Sequence, residues 1–204
     1  MTIKNRGRRA DYAEATRAAI IDAARTLFAE QGYFATRVEQ IATKARVAEG
    51  TVYVAGGKQG LLHLLIEEWA RSPVRQDSID RLAELEDPED ILRLLAASTK
   101  QVRQTHGDIM RILLATAPHD QVAADGLAAS TARYQATLAL VAKRLHDVGH
   151  LRADITVRRA TDVLWFYFGY TGFFTLIDNG WTLDDAETWL REQCERALIA
   201  APPH

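Results

Sequence analysis

Along the first third of the chain the apolar positions form short helical stripes separated by clear stops. Ile20, Ala24, Leu27 and Phe28 recur at i, i+4, i+7 and i+8, one face of a helix, and Gly32 supplies a left-handed stop. Thr36-Arg37-Val38-Glu39 reads as a capping box, with the Thr hydroxyl on the third amide and Glu39 reaching back. A short helix follows through Val38, Ile41, Ala42 and Ala45. After a tight connection at Arg46-Val47-Ala48, a second short helix runs from Glu49 to about Ala55. Gly56-Gly57 breaks it, and a longer helix runs from Lys58 through Leu61, Leu62, Leu65, Ile66 and Trp69 to about Ser72.

The rest of the chain predicts longer helices. Residues 77–85 form a short one, and Asp87-Pro88-Glu89-Asp90 then joins an N-cap, a first-turn Pro and acids facing the helix dipole. That helix is expected to end near Gly107, with Asp108 opening another that Pro118 closes. Residues 120–148 read as one helix ended by Gly149, and residues 156–179 as another closed by Gly180. Thr182-Leu183-Asp184-Asp185 opens the last, which runs to Pro202-Pro203. No strand and no internal repeat emerges. The expectation is an all-α chain of nine to ten helices, a three-helix head followed by a helical bundle.

Composition agrees with that pattern. Ala and Leu fill 33 and 22 of the 204 positions, against 5 Pro and 12 Gly, so strong helix formers dominate. With 48% hydrophobic and 25% charged residues the chain is not a disordered one. Cys194 is the single cysteine, which excludes an intrachain disulfide and a Cys-based zinc site.

The basic N-terminus runs into Asp11, Glu14 and Asp22 rather than an apolar core, unlike a secretory signal. The longest uncharged stretch, Val163 to Ile177, is 15 residues, roughly 22 Å of helix against a bilayer core of about 30 Å. A cytoplasmic protein with no membrane span is expected. His146 and His150 lie four apart, but Gly149 interrupts the helix between them, so no metal and no cofactor is expected. No motif of a hydrolase, phosphate loop or metalloprotease occurs, and no catalytic residue is assigned.

Charge is uneven. Residues 1–58 carry 10 Lys and Arg against 6 Asp and Glu, whereas residues 59–204 carry 15 against 21. Lys4, Arg6, Arg8 and Arg9 fall in the first ten residues with no acid among them. A basic head on an acidic body points to a polyanionic partner for the head, although a solvated tail gives the same charge run. Two short helices joined by a tight turn inside that head are the signature of a helix-turn-helix. The second begins Ala48-Glu49-Gly50-Thr51-Val52-Tyr53, where Gly50 and Thr51 permit close approach to bases and Tyr53 offers a hydroxyl to a phosphate.

The ordered set from Ile20 to Phe28, then Gly32, Thr36, Ile41-Ala42, Ala45, Val47, Gly50-Thr51-Val52-Tyr53, Lys58 and Leu61-Leu62 resembles the TetR family of bacterial transcriptional regulators. The resemblance covers roughly residues 17–66. It implies a homodimer that binds a near-palindromic double-stranded DNA operator through residues 1–57. It also implies a small-molecule effector pocket and a dimer surface in residues 58–204. Thr36 then resembles a phosphate contact with Arg37 beside it. Ala48, Glu49, Gly50 and Thr51 occupy the base-facing end of the recognition helix. Tyr53 and Lys58 match the family's phosphate-binding residues, and Lys4, Arg6, Arg8 and Arg9 resemble a minor-groove arm.

Three positions depart from the family pattern. Arg46 stands where Gly is usual in the turn, Glu49 puts an acid near phosphates, and four residues rather than five separate Tyr53 from Lys58. The aromatic residue usual in that last segment is missing. Two readings follow: a repressor released from its operator by a hydrophobic molecule, or a regulator-like binding dimer with impaired DNA binding and a loose 46–58 segment.

For the effector, Trp69, His106, Met110, Leu114, Tyr134, Trp165, Tyr167 and Tyr170 are the candidate lining residues. The 156–179 stretch is apolar on all sides and so must bury more than one face. Gly169, Gly172 and Phe173 on it, with Trp189, Leu190 and Ala197 on the last helix, are the candidate dimer surface.

Overall fold

Local start and stop chemistry sets most of the helices. The structure, a computed structural model, describes the backbone of residues 4–200 and the side chains of residues 10–200. Among the described residues there are ten helices: α1 (Lys4–Gln31), α2 (Val38–Ala45), α3 (Glu49–Val54), α4 (Gly57–Ala70), α5 (Val74–Leu82), α6 (Pro88–Thr116), α7 (Gln121–Asp147), α8 (Val157–Phe168), α9 (Tyr170–Asp178) and α10 (Leu183–Leu198). Asp87 caps α6, its Oδ1 accepting from the amides of Glu89 and Asp90 at 2.8 and 3.1 Å. Asp120 accepts from the Ala123 amide, Thr156 from Arg159 and Thr182 from Asp185, so α7, α8 and α10 start as their sequences predict. The extended pairing found among the described residues is one isolated bridge, Leu151 with Ile199.

Three helix assignments differ from expectation, the first being α5, which spans Val74–Leu82 instead of residues 77–85. Residue 107 does not end a helix, because α6 continues through it to Thr116. Asp108 opens nothing; its carboxylate is turned to Arg25. Residues 156–179, expected as one helix, divide at Gly169, which has φ −64° and ψ −178° and so leaves the helical region.

The chain forms two compact units. The first holds residues up to Arg71 together with Asp108–Ala129, and the second holds Ser72–Gly107 together with residues from Ser130 onward. The expected boundary after residue 57 assigns α4 to the body, whereas its packing against α1 and α3 groups it with the head.

In the first unit Ile20, Ala24, Phe28, Ile41, Val52, Leu61, Leu62 and Leu65 are buried. Arg25 ties residues 108–129 to this core. Its Nη2 donates to Asp108 at 2.7 Å and its Nη1 to Glu68 at 2.9 Å. Burial pushes the Asp108 carboxyl up, but the hydrogen bond and charge of Arg25 outweigh it and hold the group below the usual carboxylate range. In the second unit Leu92, Leu138, Ala142, Leu164, Phe168, Phe173, Leu190 and Cys194 form one buried cluster.

Candidate functional site

The head presents α3 as a short, exposed helix on a buried base. Val52 is fully buried, while Ala48, Glu49, Gly50, Tyr53 and Val54 are exposed and Thr51 is half-buried. A six-residue helix is unstable alone, so α3 is held by its packing on α2 and α4. The turn before it is closed by Arg46, which adopts the left-handed conformation at φ 58° and ψ 43°. Its amide bonds the Thr43 carbonyl at 3.2 Å, and the Val47 amide bonds Ala42 at 3.0 Å.

Thr36 requires a correction. It is 1% exposed, and its hydroxyl donates to the Gly32 carbonyl at 2.8 Å while accepting from Gln31 Nε2 at 3.2 Å. A phosphate oxygen has no access to it, so it is a structural clamp on the α1–α2 connection. The capping box also moves by one residue. Arg37 is the N-cap of α2, and Gln40 rather than Glu39 reaches back, its Oε1 accepting from the Arg37 amide at 2.8 Å. Arg37 itself is exposed, as a phosphate contact requires. Lys4, Arg6, Arg8 and Arg9 have side chains outside the described residues.

The short 53–58 segment is closed by glycine geometry. Gly56 and Gly57 adopt φ of 106° and 60°, and α4 starts at once at Gly57. A Cβ at Gly56 would lie 3.0 Å from the Gly60 Cα, so a side chain there would have to push the α4 backbone aside by a few tenths of an ångström as well as hold a strained φ. The backbone therefore takes up the missing residue itself. Tyr33 packs edge-on against Phe28, ring centroids 5.1 Å apart, and Lys58 Nζ lies 4.7 Å over the Tyr33 ring. Lys58 also donates to the Phe34 carbonyl at 3.5 Å, and partial burial lowers its amine pKa.

Of the candidate effector residues, the second unit brings together Tyr134, Trp165 and Tyr170. Tyr134 and Trp165 meet edge-on at 5.9 Å, and Trp165 and Tyr170 at 5.3 Å. Tyr167 pairs instead with Phe166 at 5.2 Å. His106 belongs to the second unit, and Trp69, Met110 and Leu114 to the first.

Sequence reasoning missed the polar centre of the aromatic group. Arg103 of α6 is 6% exposed and donates through Nη2 to the carbonyls of Phe168 and Gly169, at 3.3 and 3.2 Å. Its guanidinium lies 5.4 to 5.8 Å from the rings of Tyr170, Phe173 and Phe174. Burial lowers its pKa. Tyr134 donates to the Phe168 carbonyl at 3.0 Å and bonds Thr99 at 3.0 Å. These donors satisfy carbonyls released where α8 ends. The overlooked signal was periodicity, since Leu92, Ala96, Thr99 and Arg103 fall on one buried stripe.

The candidate dimer surface needs a second correction. Phe173 and Leu190 are 0% and 2% exposed within the unit's own core. Gly169 is buried, and a Cβ there would collide with the Trp165 carbonyl. None of these three is free to meet a partner. Trp189 is 40% exposed, Gly172 and Ala197 are partly exposed, and Phe166, not anticipated, is 72% exposed.

Comparison with known proteins places these features in context. Residues 20–65 match the family model described as bacterial regulatory proteins, tetR family. The chain is 30% identical over 113 residues to the HTH-type transcriptional repressor NicS of Pseudomonas putida, covering 55% of this chain and 53% of that protein. It thus spans about half the length of the curated relative it matches.

Among solved structures, the SmeT–triclosan complex matches with TM-score 0.70 and 21% identity, over 91% of this chain and 92% of that one. SmeT is described as the repressor of a Stenotrophomonas maltophilia multidrug efflux pump. FadR from Bacillus subtilis, in complex with stearoyl-CoA, matches with TM-score 0.66 and 20% identity, over 87% and 96%. At these identities the structural likeness is one of fold. No helix among the described residues is long and apolar enough to cross a membrane.

Proposed function

Because this chain belongs to the tetR family of bacterial regulatory proteins, we propose that it is a ligand-responsive transcriptional repressor that acts by binding DNA rather than by catalysis. The observation that carries this reading is the exposed outer face of α3, with Glu49 and Tyr53 one turn apart, on a base buried through Val52. Exposed Arg37 and half-buried Lys58 supply charge for phosphates on either side of α3. Two heads, held by a homodimer through Phe166 and Trp189, would read the two halves of an operator. The effector is a small hydrophobic molecule, a class favoured by the Tyr134, Trp165 and Tyr170 rings. The complexes of SmeT with triclosan and of FadR with stearoyl-CoA support a ligand with a large apolar part in this fold.

The test is a gel shift on the duplex flanking the protein's own gene. A shifted band that a hydrophobic ligand reverses supports the reading, and a duplex never shifted at low salt refutes it. The second reading, a dimer with impaired DNA binding, requires a gap beneath α3. The glycine closure at 56 and 57 removes that motive.

A further inference from the structure

Glu49 is an acid at the start of a helix whose surroundings are otherwise suited to a polyanion. It is the first residue of α3 and is exposed, as are Ala48 before it and Gly50 after it. A Cβ at Gly50 would meet nothing within 4 Å among the described residues, so this position is open. Among the described residues the Glu49 side chain makes no ion pair or hydrogen bond, although Lys44 and Arg46 lie just before it in sequence. Glu49 and Tyr53 stand at i and i+4 and share the outer face of α3.

An unneutralised carboxylate against phosphate is repulsive, so this position belongs in the interface only if it faces a donor. The major groove offers two exocyclic amines, cytosine N4 and adenine N6; guanine and thymine present acceptors at the same edge. A carboxylate accepts and cannot donate. Beside adenine N6 it would meet the N7 lone pair, whereas beside cytosine N4 it meets the C5–H. Cytosine is the base that complements Glu49.

Resting on the DNA-binding reading above, the geometry points to Glu49 as a specificity-determining residue that accepts a hydrogen bond from the N4 amine of one cytosine in each operator half-site. Gly50 lets the backbone come close enough for so short a contact, and Tyr53, one turn on, fixes the register through a phosphate.

Selection from a random-sequence duplex library tests this. Wild-type protein should enrich a half-site with cytosine at one position, and Glu49→Ala should enrich the same half-site without preference there. Glu49→Gln, which both donates and accepts, should move that preference to adenine. Replacing the selected cytosine by pyrimidin-2-one, which lacks the amine, should weaken wild-type binding about tenfold and leave Glu49→Ala unchanged. Identical base preferences in wild type and Glu49→Ala would overturn the assignment while leaving DNA binding intact. If neither protein retains any duplex at low salt, the DNA-binding reading falls and takes this one with it; duplex retained without any base preference overturns this assignment alone.

Discussion

Arg46 holds a backbone conformation that costs an L-residue about 1–2 kcal/mol. The strain persists because the turn between α2 and α3 needs it: the Arg46 and Val47 amides close the end of α2 only with φ positive. Replacing Arg46 by Gly relieves the strain but frees the unfolded chain, which costs roughly 0.5–1 kcal/mol. A net gain of about 0.5–1 kcal/mol is expected, read as a higher urea midpoint at unchanged slope. A lower midpoint would mean that the Arg side chain contributes more than its backbone costs. Thr36 carries the opposite lesson. Its sequence suggested a cap, yet the cap falls to Arg37, and Thr36 is 1% exposed because its hydroxyl turns back to the Leu27 and Gly32 carbonyls at the end of α1, which no local pattern encodes.

At the scale of helices, local chemistry was readable and its interruptions were not. Asp87, Asp120, Thr156 and Thr182 cap where their sequences place them, because a cap needs only its own side chain and the next turn. Gly107 and Gly169 look alike in sequence, yet α6 passes through the first and the chain breaks at the second. At Gly169 the released carbonyls are taken up by Arg103 and Tyr134, residues distant in sequence, so the break is a tertiary event. The 53–58 segment follows the same logic. Its missing aromatic suggested a loose recognition helix, while the structure shows a tight double-glycine connection. Gly56→Ala should therefore cost roughly 1–3 kcal/mol through the strained φ alone, with further cost from the close approach of Gly60. Inserting Phe between Ala55 and Gly56 should lower the thermal midpoint and weaken DNA binding. A variant with tighter binding and a higher midpoint would show that the short connection is a defect after all.

At the scale of the whole molecule, reading two operator half-sites needs two heads and one interface. Phe166 is 72% and Trp189 40% exposed, apolar surface of the kind a partner covers. Phe166→Asp combined with Trp189→Ala should leave helix content unchanged and move the mass in light scattering from two chains to one. A double variant that stays dimeric would place the interface elsewhere. The fold class and the helix-turn-helix were legible because they depend on local periodicity, whereas the burial of Phe173 and Leu190 in the unit's own core was not. The same apolar stripe serves either the unit's own core, as Phe173 and Leu190 do, or a partner. The central claim, that the head binds duplex DNA through phosphate neutralisation, is tested most directly by the salt dependence of binding. Measured for wild type and Arg37→Ala on one duplex, log K should fall steeply with log salt. The slope of the variant should be shallower by about 0.9 for each phosphate that Arg37 neutralises in the wild type. No detectable binding by wild type at about 50 mM salt, or binding indifferent to salt, would contradict the account.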